Sequence, residues 1–227
     1  MHTPQTFAGI ASAVADPTRA RMLVALMDGR AWTATELSVE AGVAPSTASA
    51  HLRTLRDAGL IRCAAHGRHR YFELSDGEVA DVLEGLTDLA ARRERCVIHG
   101  TADQALRAAR VCYDHLAGEA GVRLLASLRR GGVVVGEHVL QLSERGGRCL
   151  LGYGIDLQKV AATRRPVCRA CLDWTERRPH LGGALGAALL RVVFQRQWAE
   201  RDTDGRAVRF STRGSAAFDA FIDALSG

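Results

Sequence analysis

Apolar residues in the first ninety positions recur at helical spacing, in short blocks punctuated by residues suited to starting and stopping helices. Asp16-Pro17 offers a side-chain acceptor at an N-cap, followed by a proline whose missing N–H costs nothing at the first helical position. Gly29 supplies the stop, so a helix is predicted over residues 17–28. Thr33 and Glu36 have capping-box spacing and Gly42 follows them, predicting a second, shorter helix. Pro45 opens a third almost at once. There Ala48, Leu52 and Leu55 share one face, while Ser46, Thr47, Ala50, Arg53 and Thr54 point away from it. After Gly59, residues 60–64 and 70–74 read as two strands around His66-Gly67-Arg68-His69, a turn that Gly67 makes without strain.

Charge sharpens this pattern. Between residues 44 and 72 stand Arg53, Arg56, Arg62, Arg68 and Arg70 against the single acid Asp57, although residues 1–93 together hold ten basic and eleven acidic side chains. The positive charge therefore belongs to the third helix and the hairpin. Small hydroxyl side chains at a helix start allow close approach to a phosphate backbone or groove floor, and an arginine there reaches a phosphate or a guanine edge. The expected DNA contacts are Ser46, Thr47, Ser49, Ala50, His51, Arg53, Thr54 and Arg56 on the helix. His66, Arg68, His69 and Arg70 join them in the hairpin.

Residues 7–89 resemble the ArsR/SmtB family of bacterial repressors. The resemblance is carried by Ala15-Asp16-Pro17-Thr18-Arg19, the Glu36-Leu37 helix, Pro45-Ser46-Thr47-Ala48-Ser49-Ala50-His51-Leu52, Leu55-Arg56-Asp57-Ala58-Gly59-Leu60-Ile61 and a wing ending at Tyr71-Phe72. It implies a winged helix-turn-helix in a homodimer held by the first helix and the helix after the wing, here residues 6–14 and 77–93. It also implies a two-fold operator released when an inducer binds. In the second of those helices Val79, Val82, Leu83, Leu86 and Leu89 form an apolar stripe suited to a partner helix. The paired recognition helices are then expected about 34–36 Å apart. The family's known metal sites do not carry over. Residues 33–41 contain no cysteine, and Asp81, Glu84 and Asp88 are followed by no histidine before His99. Cys63, in the wing, is expected to be a small buried hydrophobe.

At 227 residues the chain is long enough for two domains, expected at 1–95 (DNA binding and dimerisation) and 96–227 (sensing or packing). The expected fold class is α+β, mainly α with small β-wings. With no apolar run long enough to span a membrane and no signal-like start, the location is expected to be cytoplasmic and the six cysteines reduced. Residues 102–130 are expected to be mainly helical, interrupted near Gly118 and Gly121, with Cys112-Tyr113 on the inner face of a helix and Val133-Val134-Val135 a strand. A shift of 138 positions aligns Ala50, Leu52, Arg53, Gly67, Arg68, Phe72 and Asp81 with Ala188, Leu190, Arg191, Gly205, Arg206, Phe210 and Asp219. The second domain is therefore expected to hold a degenerate winged-helix repeat over residues 180–224. Its reading positions, Ala184, Leu185, Ala188 and Val192, are apolar, which suits packing rather than base recognition.

The chemistry of this half gathers around Cys168 and Cys171, at ligand-pair spacing, with His180 a third ligand beyond them and Cys112, His115, Cys149 and His138 the residues that could complete a site, Cys112 and His115 first among them. Three uses stay open. The pair is a thiophilic site for zinc, cadmium, lead or arsenite; or a redox pair activated by Arg164, Arg165, Arg169, Arg177 and Arg178; or buried structural cysteines. No glycine-rich phosphate loop, nucleophile elbow or paired-carboxylate motif accompanies the thiols, so an enzyme is not expected. The leading expectation is a homodimeric, sequence-specific DNA-binding repressor released from its operator by such a metal or by thiol oxidation. Its alternatives are a constitutive DNA-binding protein with a structural second domain, and a regulator sensing an organic ligand.

Overall fold

The structure, a computed structural model, describes residues 4–67, 69–93, 104–137, 139–173, 175–202 and 205–227. The chain divides into two compact units, Met1–Leu83 and Glu84–Gly227, each with its own core. The division falls inside the helix Gly77–Arg93, whereas the sequence placed the boundary at residue 95. Among the described residues no helix is long and apolar enough to cross a membrane.

The first unit contains α1 (Pro4–Val14), α2 (Pro17–Leu26), β1 (Trp32–Thr33), α3 (Ala34–Ala41), α4 (Pro45–Asp57), β2 (Ile61–His66) and β3 (His69–Leu74), and the start of α5 (Gly77–Arg93). The helix signals act as anticipated. Asp16 accepts the Arg19 N–H, Thr33 and Glu36 complete a reciprocal capping box, and Gly42 closes α3 in the left-handed region at φ 68°. Met22, Leu23, Leu26, Leu37, Leu52, Leu55 and Ile61 are fully buried between α2, α3, α4 and the sheet. That sheet is antiparallel in the order β1-β3-β2, with His66 opposite His69 at the wing tip and Gly67 at φ 59°. Cys63 corrects an expectation: it lies on the exposed face of β2.

The second unit is built from one plan used twice. The first copy runs β4 (Arg110–Cys112), β5 (His115–Ala117), α7 (Gly118–Arg130), β6 (Val134–Val135), β7 (Gln141–Leu142) and α8 (Glu144–Leu151), preceded by α6 (Gln104–Ala108). After α9 (Leu157–Ala161), the second runs β8 (Arg169–Asp173), β9 (Arg178–Gly182), α10 (Gly183–Gln195), β10 (Ala199–Arg201), β11 (Val208–Phe210) and α11 (Thr212–Ala224). Each copy is hairpin, thirteen-residue helix, hairpin, helix. The expected helix through residues 109–117 is thus corrected to a hairpin. Val111 and Leu116 are buried cross-strand partners, and Tyr113 turns the chain at φ 55°. Gly118 does not interrupt a helix but begins one.

The two copies share a sequence frame. Arg110-Val111-Cys112-Tyr113-Asp114 and Arg169-Ala170-Cys171-Leu172-Asp173 share Arg-x-Cys-x-Asp. His115-Leu116-Ala117-Gly118-Glu119-Ala120-Gly121 and His180-Leu181-Gly182-Gly183-Ala184-Leu185-Gly186 share His-Leu-x-Gly-x-x-Gly. The only length difference between the motifs is residues 174–179, inserted in the second hairpin. At the 138-residue offset, α10 occupies the positions corresponding to α4, and β10–β11 follow as the wing does. Ala184, Leu185, Ala188 and Val192 are buried, so α10 is a core helix and these four positions have no surface to offer DNA.

Glycines permit the central packing. A Cβ on Gly121 would come within 2.3 Å of the Leu116 carbonyl oxygen and 3.4 Å of His180 Cβ. One on Gly186 would come within 2.3 Å of the Leu181 oxygen and 3.1 Å of His115 Cβ. Each histidine strand thus lies beneath the helix of the other copy. We expect Gly121→Ala and Gly186→Ala each to destabilise the second unit by about 1–3 kcal/mol, because the steric cost exceeds the roughly 1 kcal/mol gained in helix propensity. Urea unfolding monitored by circular dichroism measures this.

Candidate functional site

Two sites take shape, one in each unit. On α4, Pro45 fixes the first turn and Ala48, Leu52 and Leu55 are buried. Ser46, Thr47, Ser49, Ala50, Arg53, Thr54 and Arg56 are exposed along the rest of the helix, as are His66, His69 and Arg70 on the wing. Arg68 lies outside the described residues. Ser49 Oγ donates to the Pro45 carbonyl at 2.8 Å and Thr54 Oγ1 to that of Ala50 at 3.2 Å, leaving their oxygen lone pairs outward. Two details correct the expected charge pattern. Arg62 is paired across the wing with Glu73 at 2.9 Å, an acid that stands one residue past Phe72. His51 is half-buried, with Nδ1 3.3 Å from Arg19 Nη1 and 3.8 Å from Asp16, so it braces α4 against α2 rather than facing outward.

In the second unit, Cys112, His115, Cys171 and His180 bring one donor atom each into a group no more than 4.8 Å across. The fold explains why. Cys112 and His115 are cross-strand partners in β4–β5, as Cys171 and His180 are in β8–β9, so each hairpin presents a thiol and an imidazole side by side. The imidazoles stack at 5.0 Å with Nε2 to Nε2 at 3.1 Å. Their outer nitrogens face carboxylates: His115 Nδ1 lies 3.4 Å from Asp114 and 3.8 Å from Glu84, and His180 Nδ1 lies 3.8 Å from Asp173. Among the described residues His180 Nδ1 has no hydrogen-bond partner. Inner nitrogens converging while outer ones face carboxylates is the pattern that orients histidines for a metal.

Asp173 is the anchor of this centre. Fully buried, it takes Arg110 Nη2 at 2.8 Å, the Thr175 hydroxyl at 2.7 Å and the Gly118 N–H at 2.6 Å. Burial raises its pKa, but Arg110 and these donors outweigh that and hold it at about 2. Asp114 is steadied by Arg165, whose guanidinium also lies 5.6 Å over the Tyr113 ring. The Cys171 thiol, with His115 and His180, pulls the Cys112 thiol well below its ordinary value against the effect of burial. His115 is pushed the other way: burial opposes its charge, yet Cys112, Asp114 and Glu84 raise it to about 10. His180 is lowered, chiefly by burial. The shifts of Cys112 and His115 thus run in opposite senses, each favouring the charge of the other.

His138 lies outside the described residues. Cys149 does not join the group, and neither does Cys168. It packs into the apolar core, and burial raises its thiol to about 11, so the nearby arginines do not activate it as expected. The partner of Cys171 is Cys112, fifty-nine residues upstream. The missed signal was the repeated Arg-x-Cys-x-Asp and His-Leu-x-Gly-x-x-Gly frame. In native labelling with an aromatic disulfide reagent at pH 8, Cys63 should react at once, while Cys168, a protonated thiol below about pH 11, should react only on unfolding. Comparison of Cys63→Ser and Cys168→Ala chains checks this.

Comparison with known proteins agrees with the first unit and extends beyond it. A helix-turn-helix domain model matches residues 14–64. An uncharacterized HTH-type transcriptional regulator of Bacillus subtilis, YdfF, is 38% identical over 218 residues, covering 95% of this chain and 96% of its own. The HTH-type transcriptional regulator CmtR of Mycobacterium bovis is 38% identical over 82 residues, 36% of this chain and 69% of its own. A probable mercury resistance operon repressor of Streptomyces lividans is 33% identical over 88 residues, 39% of this chain and 70% of its own.

Proposed function

This chain belongs to the ArsR/SmtB family of winged helix-turn-helix transcriptional regulators, and we propose that it is a homodimeric repressor that leaves its operator when a thiophilic metal ion enters the Cys/His centre. The observation that carries the effector half of this reading is the convergence of Cys112, His115, Cys171 and His180 from two separate hairpins. Two thiolates and two imidazoles suit a tetrahedral soft or borderline ion such as zinc, cadmium or lead. Arsenite fits the donor set less well, because Cys168 is not there to supply a third sulfur. The likeness over 88 residues to a probable mercury resistance operon repressor supports a metal effector. A regulator is favoured over an enzyme because the centre comes with a DNA-reading unit and with relatives named as regulators.

A second copy of the chain is the partner suited to the apolar surfaces of α1 and α5. Phe7 and Ile10 on α1, and Val82, Leu86 and Leu89 on α5, are exposed large hydrophobics. Such a dimer would present two copies of α4 to successive major grooves about 34–36 Å apart. Metal capture acts only through unequal affinity for the DNA-competent and DNA-incompetent arrangements, and a few kcal/mol of difference gives a strong response. Oxidation of Cys112 and Cys171, which share the centre, is the second reading.

Fluorescence anisotropy on duplex DNA from immediately upstream of the gene, with and without cadmium, tests the proposal. The reduced parent should bind tightly and be released by cadmium; a Cys112→Ser/Cys171→Ser chain should bind equally well and ignore the metal. Binding by the parent that is indifferent to cadmium would overturn the metal reading, and indifference to peroxide as well would leave a constitutive DNA-binding protein. On the same DNA, Arg53→Ala should weaken binding by about 1–3 kcal/mol, and Arg68→Ala should lower the salt slope by about 1 if it neutralises a phosphate.

A further inference from the structure

We propose that Glu84 is the positioning residue through which occupancy of the Cys/His centre is passed to α5, so that this carboxylate regulates operator binding without itself holding the metal. The proposal rests on the reading that the centre takes a thiophilic ion. Glu84 is 1% exposed, and a carboxylate so deep in a fold is costly unless it is well paired. Its oxygens are shared between the two halves of the centre. Oε2 lies 3.4 Å from Arg169 Nη1, at the start of β8; Oε1 lies 3.8 Å from His115 Nδ1 and 3.9 Å from Cys112 Sγ, on β4–β5. The next residue, Gly85, leaves room for Arg169: a Cβ there would stand 3.3 Å from Nη2. Glu84 is thus an α5 side chain that touches both donor hairpins.

An ion changes the distance between those hairpins. The donors now spread over as much as 4.8 Å. With metal–sulfur bonds of about 2.3 Å and metal–nitrogen bonds of about 2.0–2.1 Å, a tetrahedral ion holds neighbouring donors roughly 3.3–3.8 Å apart. The imidazole nitrogens facing one another from the two hairpins stand at 3.1 Å, inside that spacing, while the widest donor pair lies outside it, so loading resets the spacing of the donors on β4–β5 and β8–β9 around the Glu84 carboxylate, which must shift with them. At about 100° per residue, Val82, Leu86 and Leu89 lie roughly opposite Glu84 on the helix. They are exposed, and are the α5 residues suited to a partner chain. A displacement taken up at the buried face of a rigid helix reappears at its outer face. Loading would thus give α5 a second arrangement, and Glu84 is the group that tells the two apart.

Two full-length variants test the link from its two ends. Glu84→Gln keeps the shape and removes the charge; Arg169→Gln cuts the tie to the second hairpin; both leave the four donors intact. Cadmium binding is followed by the thiolate-to-cadmium charge-transfer absorbance and operator binding by anisotropy, so a folding failure in either variant is visible and leaves the other to decide. Both should show the parent's absorbance and one-to-one stoichiometry, and metal-free operator affinity within about twofold. The cadmium-induced loss of affinity, about tenfold or more in the parent, should fall below about twofold. A parent-like cadmium response in the variants would overturn the proposal, as would loss of the absorbance in Glu84→Gln, since Glu84 would then be building the centre rather than relaying its state. A parent with no charge-transfer band would bring down the thiophilic reading, and this proposal with it. A parent with the band but no operator response would bring down the coupling alone.

Discussion

The second unit depends on one close approach made twice. Gly121 and Gly186 let the first turn of each long helix close onto the leucine carbonyl that follows its own copy's histidine, at a place where the histidine Cβ of the other copy is also in contact, and the Cys/His centre follows from how near those strands lie. The imidazoles can then stack, the thiols of the facing strands fall beside them, and water is excluded. Asp173 fixes the arrangement by tying the second hairpin to the first residue of α7 and to Arg110. A packing constraint thus becomes an electrostatic one. In a dry enclosure opposite charges act on one another strongly, which is why Cys112 and His115 are pushed so far from their ordinary ionisation in opposite senses.

The duplication is not perfect, and the differences carry information. Asp114 is half-exposed and steadied by Arg165, whereas its counterpart Asp173 is buried among several donors. Arg110 pairs with Asp173, but its counterpart Arg169 turns to Glu84. The Arg169 departure lies where the second copy meets Glu84, and that of Asp173 where the second hairpin is lengthened by residues 174–179. The core positions stay alike: Ser143 and Ser211 cap α8 and α11, and Gly146 and Gly214 pack against the carbonyls of Val133 and Trp198. The two copies thus differ at the rim of the centre and agree in the packing beneath it.

The first unit was legible because its signals are local. A cap, a proline at a first turn or a glycine in the left-handed region acts within four residues, so Asp16, Thr33, Glu36, Gly42 and Pro45 could be read directly. His51 and Cys63 were misplaced because their surroundings depend on other elements: Arg19 reaches across to His51, and the face of β2 that bears Cys63 is left uncovered. In the second unit three-residue strands such as β4 and β5 are too short to show alternation, and their apolar spacing imitates a helix. The centre was half visible. Four of its candidate residues do converge, but Cys168 was grouped with Cys171 by proximity in sequence, whereas a strand sends neighbouring side chains to different environments. The internal repeat was obscured by the six extra residues in one copy.

The centre has a further meaning if each copy is considered alone. A single hairpin-and-helix half carries one thiol and one imidazole, too few to surround an ion, and the reciprocal glycine contacts place the missing pair across a local two-fold relation. Two identical halves meeting in the same way would present the same four donors. The geometry is therefore that of two like halves, each completing the other's site with the donor cluster shared between them, and the first half sets itself apart by holding Glu84 against its Cys112 and His115.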